Sequence, residues 1–355
     1  MAKEKQVAQL LNETSLDDSF IMGYYGGGNF GDELLFEVLQ HTFRQHDYQN
    51  IYFLYQKPDK YSLFHHDLGY ELVDSANRID VLKAVWQRKT LVIGGGGLWG
   101  LDVNVNVILM SVMLFIARTF MGKNVYLLGV GYYGSTGRLG HIGAWLAGKS
   151  ATQILARDEE SYQRFSKINS QVFLCDDMAF SLPKLDSIDV DTQLNVFEEH
   201  LGPIDDSTIF VSVRRFKPNQ PNSYQKAIAT WLASSPDRPV IMALMEPRTV
   251  DPEGYALLKR WQWKYPHMKV IDFDYNPVVL YRFFEKYHSK LSYIGPQFHV
   301  LLVAHLARVR LLPIAYDNKV SALFEKLKYE SVIPIREVSA QHVLRFVSER
   351  QDASI

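Results

Sequence analysis

GYYGGGNFGDE, Gly23 to Glu33, decides how the chain reads. It follows the apolar triplet Phe20-Ile21-Met22 and precedes the helix-like run LLFEVLQHTF, where a buried strand hands over to an amphipathic helix. Five glycines in these eleven residues make a backbone that a ligand can approach closely. The loop also exposes amide groups at a helix N-terminus, where the dipole favours an anion. Gly26, Gly27, Gly28, Asn29 and Asp32 are therefore candidate contacts for a phosphate, a carboxylate or a sugar. No Gly-Lys-Ser/Thr closes the loop and its spacing departs from the dinucleotide fingerprint, so neither a P-loop nor a dinucleotide site is expected. The alternative is a tight turn in which Asp32 caps a helix starting at Glu33.

Outward from that loop, short apolar runs alternate with helical patterns, the signature of parallel α/β sheets. In the first half, strands are expected at 19–24, 50–55, 90–94, 124–129, 153–156 and 171–174, with helices at 33–44, 78–88, 106–121, 139–148 and 158–165. A polar, interrupted junction follows at 180–202. The alternation then resumes, with strands at 208–213, 239–245, 268–272, 291–294 and 311–315 and helices at 225–234, 252–264, 277–286, 298–308 and 318–327. The expected architecture is α/β: two doubly wound, Rossmann-like domains, 19–195 and 196–340, facing a cleft. An N-terminal extension (1–18) and a C-terminal tail (341–355) flank them.

Composition narrows the function. With 47% hydrophobic and 22% charged residues the 355-residue chain is ordinarily globular. Its 38 basic and 39 acidic side chains give a net charge of −1, which makes no case for nucleic acid or for strong attraction to a membrane surface. The single cysteine, Cys175, excludes an internal disulfide and a cysteine-based zinc cluster and fits a reducing compartment. His65-His66 has no partners at zinc spacing, so no metal is expected. The first eighteen residues lack the apolar core of a secretory signal. The longest apolar run, Val107 to Phe120, is too short to span a bilayer. Its expected use is core packing, with docking at a membrane as the other.

Two further glycine runs end expected strands, GGGG at Gly94 to Gly97 and GVGYYG at Gly129 to Gly134. Three such ends on one sheet suit an anionic or sugar ligand laid across its edge, with Gly95 and Gly96 as contacts. Trp99, Tyr132 and Tyr133 are placed either to stack on a sugar ring or to pack. In ILARDEES, Arg157 follows a strand and either reaches an anion or pairs with a neighbouring carboxylate, while Asp158 caps the next helix. In VSVRRF, Arg214 and Arg215 end a strand, where a guanidinium suits a carboxylate or phosphate, and alternation puts Ser212 on the face of Arg214. Beyond Gly295-Pro296, His299 enters the first turn of an apolar helix, a place that suits proton transfer near neutrality or a hydrogen bond to a loop carbonyl. His305 is expected to be packed or on the surface.

Taken in order, these pieces resemble the polysaccharide pyruvyl transferase family: GYYGGGNFGDE, GGGGLWGLD, GVGYYG, ARDEES, CDDMAF at Cys175 to Phe180, VSVR, and the His299 segment followed by LLPIAYDNKV. The resemblance covers residues 19 to 330. It implies a glycosyltransferase-B-like fold, and an enzyme that moves a pyruvyl group from phosphoenolpyruvate onto two hydroxyls of a sugar in a cell-envelope or exopolysaccharide precursor, forming a cyclic ketal. No metal or organic cofactor is implied. His299 would be the general acid or a phosphate contact, Arg214 a carboxylate or phosphate clamp, and the glycine loop an anion or acceptor cradle.

One departure stands out. Family members usually carry Arg-x-His where this chain has Gln297-Phe298-His299. Either Arg215, Arg248 or Lys319 supplies the missing charge, or the donor differs, or the reaction is lost. The implied partners are phosphoenolpyruvate and a sugar or lipid-linked oligosaccharide acceptor, with no nucleic acid. A cytoplasmic location is implied; placement at the inner face of the membrane, peripheral membrane contact and homo-oligomerisation stay open. Two other readings keep the same fold: a glycosyltransferase-B-type enzyme using a nucleotide sugar, and a non-catalytic sugar-binding paralogue.

Overall fold

The apolar runs pair as parallel strands in two separate sheets. The computed structural model describes residues 3–57, 69–100, 105–134, 136–185, 190–213, 223–235, 237–246, 251–265, 268–329 and 332–352. The chain divides into two compact units, one of Met1–Gly28 with Asp32–Ser187, the other of Asn29–Gly31 with Ile188–Ile355.

The first unit holds β1 (Ser19–Met22), β2 (Ile51–Tyr55), β3 (Glu71–Asp74), β4 (Thr90–Trp99), β5 (Asn124–Tyr132), β6 (Gln153–Ala156) and β7 (Val172–Leu174). Their order in the sheet is β3-β2-β1-β4-β5-β6-β7, every pairing parallel. All four residues of β1 are buried, which is why that strand reads as an unbroken apolar run rather than an alternation. Its helices are α1 (Val7–Glu13), α2 (Phe30–Gln45), α3 (Arg78–Gln87), α4 (Val105–Met121), α5 (Arg138–Ser150) and α6 (Glu159–Ser166). The inner faces of α3, α4 and α5 share one core with the strands, through Val81, Val107, Leu114 and Ala144 among others.

The second unit repeats the scheme with β8 (Ile209–Val213), β9 (Val240–Leu244), β10 (Lys269–Asp272), β11 (Ser292–Gly295), β12 (Arg310–Ala315) and β13 (Ile333–Pro334), ordered β10-β9-β8-β11-β12-β13. These pairings too are parallel. Its helices are α7 (Asp191–Leu201), α8 (Ser223–Ser234), α9 (Pro252–Lys264), α10 (Pro277–Tyr287), α11 (Phe298–Leu306), α12 (Asn318–Lys326) and α13 (Ala340–Asp352). In each sheet the strand order reverses once, between β1 and β4 and between β8 and β11, and open sheets of this kind bind ligands outside the carboxyl ends at such points.

Several boundaries differ from expectation. The helix after the first glycine loop begins at Phe30, so Asp32 lies inside its first turn instead of capping it. β4 and β5 do not stop at their glycines but continue pairing to Trp99 and Tyr132. β3 went unpredicted because only Val73 of its four residues is buried, too little for an apolar period. Within the expected N-terminal extension Leu10, Leu11 and Leu16 are buried, and the Lys5 amide donates to the Leu174 carbonyl. The expected tail forms α13, whose Val343, Phe346 and Val347 join the second core.

Candidate functional site

At the first switch point the loop leaving β1 folds back on itself. Tyr25 is buried beneath it, its hydroxyl donating to the Gly94 carbonyl midway along the neighbouring β4. Gly26 sits at φ +82°, and a Cβ there would stand 2.6 Å from the Tyr55 ring, so only glycine fits the turn. The Gly28 amide donates to Glu33 Oε1 at 2.7 Å, and the Tyr55 hydroxyl reaches Glu33 Oε2 at 3.3 Å. Glu33 is only 2% exposed. The protein's own carboxylate thus holds one of the amides expected to face a ligand. Gly27 is roomier, with Gln56 3.6 Å from where a Cβ would be.

Asp32, half-buried, faces the other glycine run: a Cβ on Gly96 would lie 3.9 Å from its Oδ1. Gly95 packs against Met178. Burial and the nearby Asp32 carboxylate push the Tyr24 phenol up to about 12, which keeps it a proton donor at neutral pH.

Arg157 takes the ion-pair alternative. Its guanidinium is buried, 3.2 Å from Asp177 Oδ2, and donates to the Tyr133 hydroxyl from Nε at 3.0 Å and from a terminal nitrogen at 2.8 Å. That hydroxyl in turn donates to Asp158 Oδ2 at 2.8 Å. Burial works against the charge, but Tyr133, Asp177 and Asp158 outweigh it and the guanidinium stays firmly protonated. A Cβ on Gly97 would fall 2.8 Å from this guanidinium, so glycine there is what lets arginine in. Nε and both terminal nitrogens of Arg157 each make a hydrogen bond within the protein, which is the ion-pair arrangement of the two weighed from the sequence. Trp99 and Tyr132 are buried and pack with Phe165, which removes them from any sugar-stacking role. Asp158 caps α6 as expected, accepting from the Ser161 amide at 2.8 Å.

The second switch point is built on β8 and β11. Tyr224 donates its hydroxyl to the Ser212 carbonyl at 2.8 Å, and Ser212 Oγ lies 2.6 Å from the Tyr293 hydroxyl. Gln297, half-buried where β11 ends, completes this network: its Oε1 accepts from Ser212 Oγ and its Nε2 donates to the Val213 carbonyl at 3.0 Å. Its amide therefore ties the two strands that flank the reversal. α11 begins immediately after it with no side-chain cap.

Residues 29–31 belong to this same unit. Asn29 Oδ1 accepts from the Gly31 amide at 3.1 Å, and its Nδ2 donates to Glu246 Oε1 at 3.0 Å. The Phe30 amide donates to the Met245 carbonyl at 3.2 Å and its ring meets Phe273 edge-on at 5.4 Å. Gly31 then lies directly against His299: a Cβ would be 3.0 Å from Cε1 and closer still to Nδ1. The first and last motifs singled out in the sequence meet here.

The sequence profile of polysaccharide pyruvyl transferases matches residues 29–318. The chain belongs to the polysaccharide pyruvyl transferase family. It is thus placed among transferases of polysaccharide biosynthesis. No curated protein matches the chain in sequence. Among solved structures it is similar to the UDP-GlcNAc 2-epimerase of Methanocaldococcus jannaschii, with TM-score 0.59 and 12% identity over 94% of this chain and 91% of that one. Anabaena HepE in complex with UDP-glucose gives 0.59 and 10% over 95% and 90%. The Neisseria meningitidis UDP-GlcNAc 2-epimerase bound to UDP-GlcNAc gives 0.52 and 10% over 93% and 100%. At these identities the likeness is one of fold: two parallel-sheet α/β units of glycosyltransferase-B type.

Arg214, expected as the clamp, lies outside the described residues, as do Arg215 and Arg248, two of the three cations expected to stand in for the arginine usual in polysaccharide pyruvyl transferases. Lys319 pairs with Asp317 at 3.2 Å and sits over the Tyr316 ring. Cys175 is buried, which pushes its thiol up and away from reactivity. Among the described residues no group of three His, Cys, Asp or Glu could hold a metal ion. Sequence reasoning missed Glu33 as a loop anchor and Tyr293 as a partner of Ser212, and it named Ser212 and Gln297 without joining them. Alternation placed Ser212 at a strand's end, but nothing in the sequence pointed its hydroxyl at Gln297.

Proposed function

We propose that the protein transfers a pyruvyl group from phosphoenolpyruvate to two hydroxyls of a sugar in a cell-envelope or exopolysaccharide precursor, forming a cyclic ketal. The packing of His299 against Gly31 carries this reading, because it sets an imidazole on a backbone turn that the family's first motif builds. In the proposed reaction His299 delivers a proton to the donor's methylene carbon, which becomes the methyl group. One sugar hydroxyl adds to the oxocarbenium-like centre, the bond to phosphate breaks, and the second hydroxyl closes the ketal. One hydroxyl proton restores His299 and the other leaves with phosphate.

The N-terminal end of α11, where His299 lies, puts a positive dipole end beside the imidazole, which suits the donor's anionic groups. Arg214 and Arg215 directly follow Val213, whose carbonyl Gln297 holds, and we assign them the clamp on carboxylate and phosphate. Arg248 remains a further candidate for that role. On this account Gln297 no longer marks a lost cation; it fixes the strand end from which the arginines emerge. Within the first unit Asp32, beside Gly96, remains a candidate sugar contact.

The alternative donor is a nucleotide sugar, favoured by fold neighbours that carry UDP-GlcNAc or UDP-glucose. Calorimetry with phosphoenolpyruvate and UDP decides between them. Wild type should bind phosphoenolpyruvate, and Gln297→Arg should bind it no better, since arginine cannot accept from Ser212. Binding of UDP alone would overturn the proposal.

A further inference from the structure

Most of the large apolar side chains that stand exposed belong to three neighbouring helices of the first unit, α3, α4 and α5, which pack side by side over one face of the sheet. α4 is apolar on two sides. Val107, Met110, Leu114 and Ala117 enter the core, while Val105, Leu109, Val112, Ile116 and Phe120 form an exposed stripe along the opposite side, at the three- and four-residue spacing of one helix face. α3 adds Ile79, Leu82 and Trp86, and α5 adds Leu139, Ile142 and Trp145. Trp86 is 72% exposed and Phe120 78%. Lys123 ties α3 to the end of α4, its Nζ donating to the Trp86 carbonyl at 2.7 Å and to that of Arg88. A helix apolar on both sides belongs between a protein core and a second apolar medium, and a continuous exposed patch of this kind marks an interaction surface.

Charge identifies the occupant. Between residues 75 and 152 the sequence has eight Lys or Arg and only two acids, Asp80 and Asp102, whereas the rest of the chain has 30 basic and 37 acidic residues. Arg78, Lys83, Lys89, Arg118, Arg138 and Lys149 are exposed on or beside these helices. Asp80, the single acid among the described residues of the three helices, is paired with Lys83 at 3.0 Å. A two-fold dimer across this face would bring each copy's cations toward the other's, whereas an anionic lipid surface would complement them. Tryptophan rings, apolar with a polar N–H, suit the headgroup boundary. No helix among the described residues is long and apolar enough to cross a membrane, so the geometry is that of a face lying on a bilayer.

We propose that the α3–α4–α5 face docks on a phospholipid bilayer carrying anionic headgroups. This inference does not depend on which donor the enzyme uses. The test is co-sedimentation of the full chain with vesicles of phosphatidylcholine mixed with phosphatidylglycerol, against phosphatidylcholine alone, at low and high salt. The mixed vesicles should bind the protein, and salt should weaken the binding. Trp86→Ser/Phe120→Ser should bind about tenfold more weakly while keeping the wild-type thermal midpoint, and Lys89→Glu/Lys149→Glu should lose the preference for anionic lipid. Absence of binding to the mixed vesicles would overturn the proposal. So would a dimer, measured by sedimentation equilibrium, that Trp86→Ser/Phe120→Ser splits.

Discussion

His299 packs against Gly31 with no space for a side chain between them, a Cβ on Gly31 falling 3.0 Å from Cε1 and nearer to Nδ1. Because His299 is half-buried, its ring can yield by turning away. Gly31→Ala should therefore leave the fold standing and misplace the imidazole. We expect turnover to fall about 10- to 100-fold, as misplacing a catalytic group does. Phosphate release from phosphoenolpyruvate with acceptor present checks this, alongside a thermal melt that should move little.

Gln297 should prove a structural residue. Gln297→Ala takes one of two side-chain partners from the Ser212 hydroxyl, which keeps Tyr293, and removes the amide that donates to the Val213 carbonyl. The expected loss is about 1–3 kcal/mol of stability. Gln297→Glu keeps the acceptor but not the donor, and should fall between the two. Urea unfolding of the three proteins orders them; equal midpoints would refute the strand-tying role.

Arg157→Met should behave as a folding variant. It strands the buried Asp177 carboxylate and removes two donors from Tyr133, and breaking a buried pair in this way costs about 3–5 kcal/mol. A soluble Arg157→Met protein with a wild-type melting temperature but no donor binding would return Arg157 to the ligand.

These contrasts show what was legible in the sequence. The parallel α/β character of both sheets could be read because strands buried on both faces are unbroken apolar runs, as in Phe20-Ile21-Met22. The His299 helix was legible from the Gly295-Pro296 break. Hydrogen-bond direction was not: Gln297 reads as a missing cation until its amide is seen to face Ser212 and Val213. Glu33 reads as a first-turn helix residue because its reach back to Gly28 exists only once the loop has closed. The near-neutral total charge concealed a basic stretch at 75–152, since a sum over the chain carries no position. The edge strand Glu71–Asp74 and the helix Ala340–Asp352 bury too few consecutive residues to announce themselves.

His305 gives the second unit an acid sensitivity. Burial lowers its value in the folded protein below the ordinary 6.5, and its ring lies 3.1 Å from the Tyr329 hydroxyl. The unfolded chain then binds the proton first, so stability is full above 6.5 and declines as pH falls through and below that value. His305→Gln should flatten the decline. Unfolding midpoints measured from neutral pH downward check this, and an unchanged slope would exclude His305 as a contributor.

The most direct test of the catalytic account follows the proton. Wild type and His299→Ala are incubated in deuterium oxide with phosphoenolpyruvate and extracted free and lipid-linked oligosaccharides, and the pyruvyl ketal is read by mass spectrometry. The account predicts a ketal whose methyl group has gained deuterium from wild type, and none from a His299→Ala protein that still binds phosphoenolpyruvate. Ketal formed by His299→Ala at the wild-type rate would contradict it.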